Sequence, residues 1–299
     1  MGVEALMGTQ SLLGRRVRRR GVAAVAAIAV LFAVAGCGGS DDAGNTGDLP
    51  FRVIKPGHLT VTYSESYLPK IASGDAGALQ GYEGYLLTKV AEKYGLKLAP
   101  MPTEFASQIL SVRQGRADVG TGIYYTEDRA KQVFYTRPNI TDRLGALTLK
   151  TTQYDDVNSL KGKPIASVNG FSYNEYLFKF YGKDNVKLFQ SYAEASQAVL
   201  GGQVVAFMGS TGTAPGIIKS HPELTLHTFA DGDFSLPANV AKSATYEYVN
   251  CDNPGLADAI DKVYQELVDS GEWQKQLEQW NVGGAEYAPP AERPTQHCK

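Results

Sequence analysis

Cysteine, histidine and tryptophan are scarce in this 299-residue sequence, at three, four and two residues. None of His58, His221, His227 and His297 stands at metal-ligand spacing from another, and no cysteine pair accompanies them, so no metal site is expected. Positive charge is not in excess either, with 29 basic residues against 31 acidic ones. A nucleic-acid footprint needs Lys and Arg clustered on one face, and none is expected. Phosphate-binding glycine loops and nucleophile elbows are missing. The stretch "GTGIYY" follows a dinucleotide fingerprint for three residues and then places Tyr125 where a small residue is needed. Neither cofactor nor catalysis is expected from these motifs, and binding is favoured over enzymatic activity.

Long apolar runs are also lacking, with one exception near the start. Arg15, Arg16, Arg18, Arg19 and Arg20 form a basic region followed by "GVAAVAAIAVLFAVAG", which is short for a membrane span and reads as an export signal over residues 1–36. It ends in "VAGC" and turns abruptly polar, a pattern that looks like a lipobox with Cys37 as the acylated first residue of the mature chain. The alternative is a plain signal peptide with an incidental cysteine. The paired arginines hint weakly at twin-arginine export, although another arginine follows where that signal wants apolar residues. Without residues 1–36 the chain keeps 24 basic and 30 acidic residues, near net −6. The body is expected in water, exported and held to the outer face of the cell membrane through a flexible tether over residues 37–57. One acyl chain anchors marginally, so two or three would be needed. Cys251 and Cys298 then form an even pair, a candidate disulfide fastening the tail "AEYAPPAERPTQHCK". The alternative is two isolated thiols.

The body alternates strand and helix patterns. "HLTVTYS" is a strand, and "YEGYLLTKVAEKYG" is a helix with Tyr82, Tyr85, Leu86 and Val90 on one face and Gly95 as its stop. "LKLAPM", "EFASQILSVRQG" and "RADVGTGI" continue as strand, helix and strand. The pattern restarts with strand "KPIASV", helix "SYNEYLFKFYG" behind a capping box of Ser172 and Glu175, strand "NVKLF", helix "SYAEASQAVLGG" behind a second box of Ser191 and Glu194, and strand "QVVAFMG". A late strand, "LPANVAKS", precedes two helices, the second placing Trp273, Leu277 and Trp280 on one core-facing side. Such alternation predicts an α/β protein of βαβ units on mainly parallel sheets, in two lobes.

Two strand-to-helix corners suit an anion. In the first, Gly122 ends a strand, Thr126 caps the next helix, and Arg129 falls at the third helical position. An arginine is disfavoured at that positive pole by roughly 0.3 to 1 kcal/mol, so something else is expected to hold it. Its planar fork suits a carboxylate, while the ordinary alternatives are pairing with Glu127 or Asp128, or lying over Tyr135. The second corner, "VNGFSYNE", brings Asn169, Gly170, Phe171 and Ser172 to the mouth of a helix, or is an ordinary turn. In open α/β sheets the ligand crevice lies beyond the carboxyl ends of the strands, where both corners are expected.

The ordered segments "LTVTYS", "GYEGYLLTKVAEKYGL", "ILSVRQGRADVGTGIYYTEDRAKQVFYTRP", "SLKGKPIASVNGFSYNEYL", "YAEASQAVLGGQVVAF" and "LVDSGEWQKQLEQWN" resemble the family 3 solute-binding proteins of bacterial ABC importers, across nearly all of residues 58–283. The resemblance implies a type II periplasmic-binding-protein-like fold, two α/β lobes joined by a two-strand hinge around a ligand cleft. Lobe 1 would comprise residues 58–142 plus 238–299, and lobe 2 residues 143–237. By the same resemblance, Arg129 grips a ligand α-carboxylate, helped by amides at the Ser172 corner and by Tyr124. The carbonyl of Gly122 takes the ammonium, and Tyr67 and Phe105 sandwich the side chain unless they serve the core.

Three positions depart from the family pattern. Ser64 stands where a carboxylate often faces the ligand, with Glu65 beside it as the candidate substitute. Ser210 stands where an acid pairs with the ammonium, and Tyr85 replaces the second Asp of the family's helix opening. A charge-assisted hydrogen bond contributes roughly 1.5 to 3 kcal/mol, so an amino acid would bind one or two decades more weakly without its ammonium partner. The leading expectation is a monomeric, lipid-anchored receptor that delivers an amino acid or related small carboxylate to a permease and its ATPase. A carboxylate without a free α-ammonium, flat or aromatic, is the second ligand class, given Tyr67, Phe105, Tyr124, Tyr125 and Phe171. Two other readings stay open: an exported enzyme resembling cyclohexadienyl dehydratases, with Glu65 as its candidate acid or base, and a sensor subunit for a signalling protein.

Overall fold

The computed structural model describes residues 49–64 and 68–298. The export signal, Cys37, Glu65 and Tyr67 lie outside the described residues. In chain order the elements are β1 (His58–Tyr63), β2 (Ala72–Ser73), β3 (Leu79–Gln80), α1 (Gly81–Lys93), β4 (Lys97–Pro102), α2 (Gln108–Arg113), β5 (Val119–Tyr124), α3 (Glu127–Ala130) and β6 (Phe134–Leu149). There follow β7 (Ile165–Val168), α4 (Asn174–Tyr181), β8 (Val186–Phe189), α5 (Tyr192–Leu200), β9 (Ala206–Ser210), α6 (Ala214–Ser220), β10 (Leu224–Thr228), α7 (Ala238–Ala241), β11 (Lys242–Val249), α8 (Pro254–Asp269) and α9 (Glu272–Glu278).

The sheet order β4-β1-β5-β11-β6-β9-β7-β8 resolves into two α/β lobes joined through β6 and β11. β4, β1 and β5 pair in parallel in one lobe, and β8, β7 and β9 in parallel in the other. Between them β11 runs antiparallel to β5 and β6, and β6 runs antiparallel to β9 and β10. The expectation of mainly parallel sheets therefore holds inside each lobe and fails at the strands connecting them. A strand that returns to the other lobe's sheet without a helical crossover must enter it antiparallel. β6 carries Pro138 opposite Tyr246, beside a register shift that accommodates a residue with no N–H for the ladder.

Each lobe builds its own core. In the first, Tyr82, Leu86, Leu87 and Val90 of α1 pack on Leu59 and Val61 of β1 and on Leu256, Ile260 and Val263 of α8. Trp273 and Leu277 of α9 close the cluster, with Trp280 partly buried at its edge, as the shared helix face predicts. Each such aliphatic side chain contributes roughly 1.5 to 3 kcal/mol by leaving water. In the second lobe, Leu144, Ile165, Leu177 and Met208 pack on one side, and Val168, Val199, Phe207 and Ile217 on the other.

Four local expectations are corrected. Residues 49–57, read as tether, pack on the body: Phe51 is buried against Tyr94, and the amide of Ile54 donates to Asp118. An aromatic ring on a polar leader buries apolar area whenever the body offers a partner. The strand "LPANVAKS" starts only at Lys242, because the carbonyl of Pro237 accepts from Val240 and Ala241 to make the helical turn α7. Ser172 does not cap α4; Tyr173 holds the cap position, and Asn174 ties the turn down by donating to the carbonyl of Val168 and accepting from Ser167. The second box forms with a shift, since Ser191 accepts from the amide of Glu194 while the Glu194 carboxylate accepts from Gln190.

Cys251 and Cys298 are bonded, with Cα atoms 5.5 Å apart. The tail between α9 and this bond runs along β6. The side chain of Thr141 donates to the carbonyl of Ala288, Arg137 donates to that of Ala291, and Arg293 pairs with Asp258 and Asp261.

Candidate functional site

α1 has no side-chain cap, and its first amides are satisfied by a neighbouring loop: Tyr82 N donates to Pro69 O at 2.9 Å and Glu83 N to Lys70 O at 3.1 Å. Gly81 makes this approach feasible. Its φ is +87°, and a Cβ there would lie 2.3 Å from the carbonyl oxygen of Lys70. The loop therefore presents Lys70 beside the end of β5, almost fully buried. Its Nζ donates to Gly122 O at 3.1 Å and stands 3.9 Å from Glu83 Oε1.

Arg129 sits on α3, whose N-cap Thr126 accepts from the Arg129 amide at 3.1 Å, as its sequence position predicts. The side chain is only 9% exposed. Its guanidinium donates to the carbonyls of Tyr124 and Gly170, both at 2.8 Å, and lies 5.8 Å from the ring centre of Phe105. Burial lowers its pKa. Pairing with Glu127 or Asp128 is not what is seen: Asp128 pairs with Lys131, and among the described residues no acidic side chain forms a salt bridge with Arg129.

Gly170, in the second lobe, meets the turn Phe105–Ser107 of the first. It has φ +86°, and a Cβ there would lie 3.0 Å from Ala106 Cα. Next to it Phe171 meets Phe105 edge-on at 4.9 Å. A small cavity lined from both lobes adjoins these contacts. Of the residues expected at a site, Arg129, Gly122, Tyr124, Phe105, Phe171, Ser172 and Ser210 line it. Gly170 reaches it through the carbonyl held by Arg129. Ser64, buried at the end of β1, lines a smaller neighbouring cavity with Lys70 and Gly122. Asn169 does not line it; its amide donates to Phe189 O, extending the strand ladder.

Lys70, Asp142, Tyr173 and Tyr192 also line the cavity and were not expected there. Asp142 lies on β6 near the crossing, and its Oδ2 accepts from Tyr124 Oη and Ser210 Oγ, both at 3.1 Å. Burial pushes its carboxyl above the ordinary range, while Lys70, Ser210 and Tyr124 pull it back. A signal for it existed: an acid inside an otherwise buried strand needs a partner. Lys70 had no comparable signal, because its place depends on a loop packed against Gly81.

Beneath the cavity, Asn139 of β6 donates to Glu247 of β11 at 2.8 Å and to Glu83 of α1 at 3.4 Å, while Thr245 donates to Asn139. Burial drives both carboxyls upward, so each holds its proton at a higher pH than an exposed glutamate.

Residues 59–283 match the sequence model of the bacterial extracellular solute-binding proteins, family 3. The chain is similar to an arginine-binding periplasmic protein of Mannheimia haemolytica, 24% identical over 225 residues that cover 75% of this chain and 91% of that one. It is also similar to a cyclohexadienyl dehydratase of Pseudomonas aeruginosa, 22% identical over 202 residues, covering 64% and 75%. Its fold is shared with the crystal structure of the substrate-binding protein of an amino acid ABC transporter, at a TM-score of 0.67 and 21% identity, covering 75% and 99%.

Proposed function

The chain belongs to the bacterial extracellular solute-binding proteins of family 3, and from that membership we propose that it captures an amino acid or related small carboxylate between its lobes. The observation that carries the reading is Arg129, a buried cation in a cavity lined from both lobes, bonded to carbonyls of each and to no acid among the described residues. A buried charge without a counter-charge is costly, and a ligand carboxylate relieves it. The lobes are residues 58–142 with 238–299, and 143–237. Acylated Cys37 holds the monomeric receptor to the outer face of the membrane. The ligand-bound form, which touches both lobes, is what the permease and its ATPase recognise.

A thermal-shift panel of amino acids and their deaminated analogues, run on wild type and Arg129→Ala, tests the site. A ligand at a hundred times its dissociation constant stabilises by roughly 2.7 kcal/mol. That shift is expected to vanish in the variant, and an undiminished shift would move the site elsewhere.

A second reading, an exported dehydratase on this fold, is favoured by Asp142, a buried carboxyl with a raised pKa lining the cavity, and by the dehydratase relative. Release of product from a bound cyclohexadienyl acid would establish it, and recovery of that acid unchanged would reject it.

A further inference from the structure

We infer that Lys70 occupies the seat of a ligand's α-ammonium, so that the solute is an α-carboxylate bearing an oxygen at C2, a 2-oxo or 2-hydroxy acid, rather than an amino acid. This rests on the placement of the ligand carboxylate at Arg129. Gly122 lines the same cavity as Arg129, and its carbonyl, the backbone acceptor there that a ligand ammonium could reach, already takes the Lys70 ammonium at 3.1 Å. The lysine is held in place from behind. Its own carbonyl caps Glu83 of α1, and its Nζ faces the Glu83 carboxylate. Gly122, at φ +66°, leaves the space for it, since a Cβ there would lie 2.4 Å from Lys70 Cε.

The other acid of the cavity gives an ammonium no better seat. Asp142 Oδ2 is engaged by Tyr124 and Ser210, and its Oδ1, which no hydrogen bond satisfies among the described residues, is shut away from the surface against Gly212, a residue that does not line the cavity. A ligand ammonium would therefore lie next to Lys70 in a site screened from water, which weakens binding on the order of a hundredfold. An oxygen at C2 reverses the sign of that contact. Lysine carries three N–H donors, and Gly122 takes one of them.

The test is a calorimetric comparison of matched triplets, each an L-amino acid with the 2-oxo and 2-hydroxy acids of the same side chain, on wild type, Lys70→Met, Lys70→Gln and Arg129→Ala. Wild type is expected to bind an oxygen-bearing member at least about tenfold more tightly than its amino acid. Lys70→Met opens the Gly122 carbonyl and the Glu83 carboxylate to an ammonium, so it is expected to erase or invert that preference. Lys70→Gln, which keeps a neutral donor to Gly122, removes the repulsion and serves if the methionine variant does not fold. Wild type preferring the amino acid, or a preference unchanged by both lysine substitutions, overturns the inference while leaving the carboxylate site standing. Binding indifferent to Arg129→Ala overturns the site itself and the inference with it.

Discussion

Gly170 gives a way to separate strain within one lobe from contact between the two. Replacing it with alanine has two consequences that the structure keeps apart. The backbone at φ +86° penalises any side chain, by about 1 to 2 kcal/mol, whatever the other lobe does. The new methyl would also stand 3.0 Å from Ala106 Cα and 3.2 Å from its Cβ, atoms of the facing lobe that can yield only if the lobes part. Overpacking of that kind costs about 1 to 3 kcal/mol, which is roughly a 5- to 150-fold loss of affinity if the ligand-bound form needs the contact. Gly271→Ala is the control, because it shares a positive φ, +73°, but a Cβ there meets nothing within 4 Å. Thermal unfolding without ligand should fall by a similar amount in both variants, roughly 2 to 8 °C. Calorimetric titration with the acid selected by the thermal-shift panel should then show the affinity loss in Gly170→Ala alone. Equal affinity in the two variants would refute the idea that the Gly170–Ala106 contact belongs to the ligand-bound form.

Reducing the Cys251–Cys298 bond opens a crosslink of 47 residues, and the chain-entropy estimate puts its contribution at about 4 kcal/mol. Unfolding curves of wild type and Cys298→Ser, with and without reductant, should show wild type dropping to the variant's stability; an unmoved midpoint would mean that the tail does not constrain the unfolded chain. Glu247 holds its proton more tightly in the folded chain than in the unfolded one, so its stabilising share is complete below the ordinary carboxylate range and is lost as pH rises through the raised value. Glu247→Gln should flatten the decline of stability with rising pH, by at most about 1.4 kcal/mol per pH unit. Parallel stability curves for the two proteins from pH 5 to 9 would show that Glu247 is not the group titrating.

Much of the fold is legible residue by residue because its signals are local. The periodic apolar faces of α1, α8 and α9, the Thr126 cap and the glycine-bounded strands depend only on neighbours a few positions away. Where the reading failed, a distant partner had outbid a local one. Ser172 lost the cap of α4 to the bonds of Asn174 with β7, and Phe51 left a polar leader for the core beside Tyr94.

The candidate site divides along the same line. Arg129 was visible in the sequence, because an arginine at the positive pole of a helix is an anomaly that asks for an explanation. The identity of its neighbours was not. Lys70 and Gly122 are 52 positions apart, Tyr124 and Asp142 are 18 apart, and Ser210 reaches the same carboxylate from 68 positions away. The sequence alone determined that the chain folds as alternating strands and helices and carries an anion-seeking arginine. Only the tertiary structure decided that a lysine lines the same cavity with its ammonium on the Gly122 carbonyl, because a seat for charge is made by groups that the backbone brings together from distant places and shuts away from water.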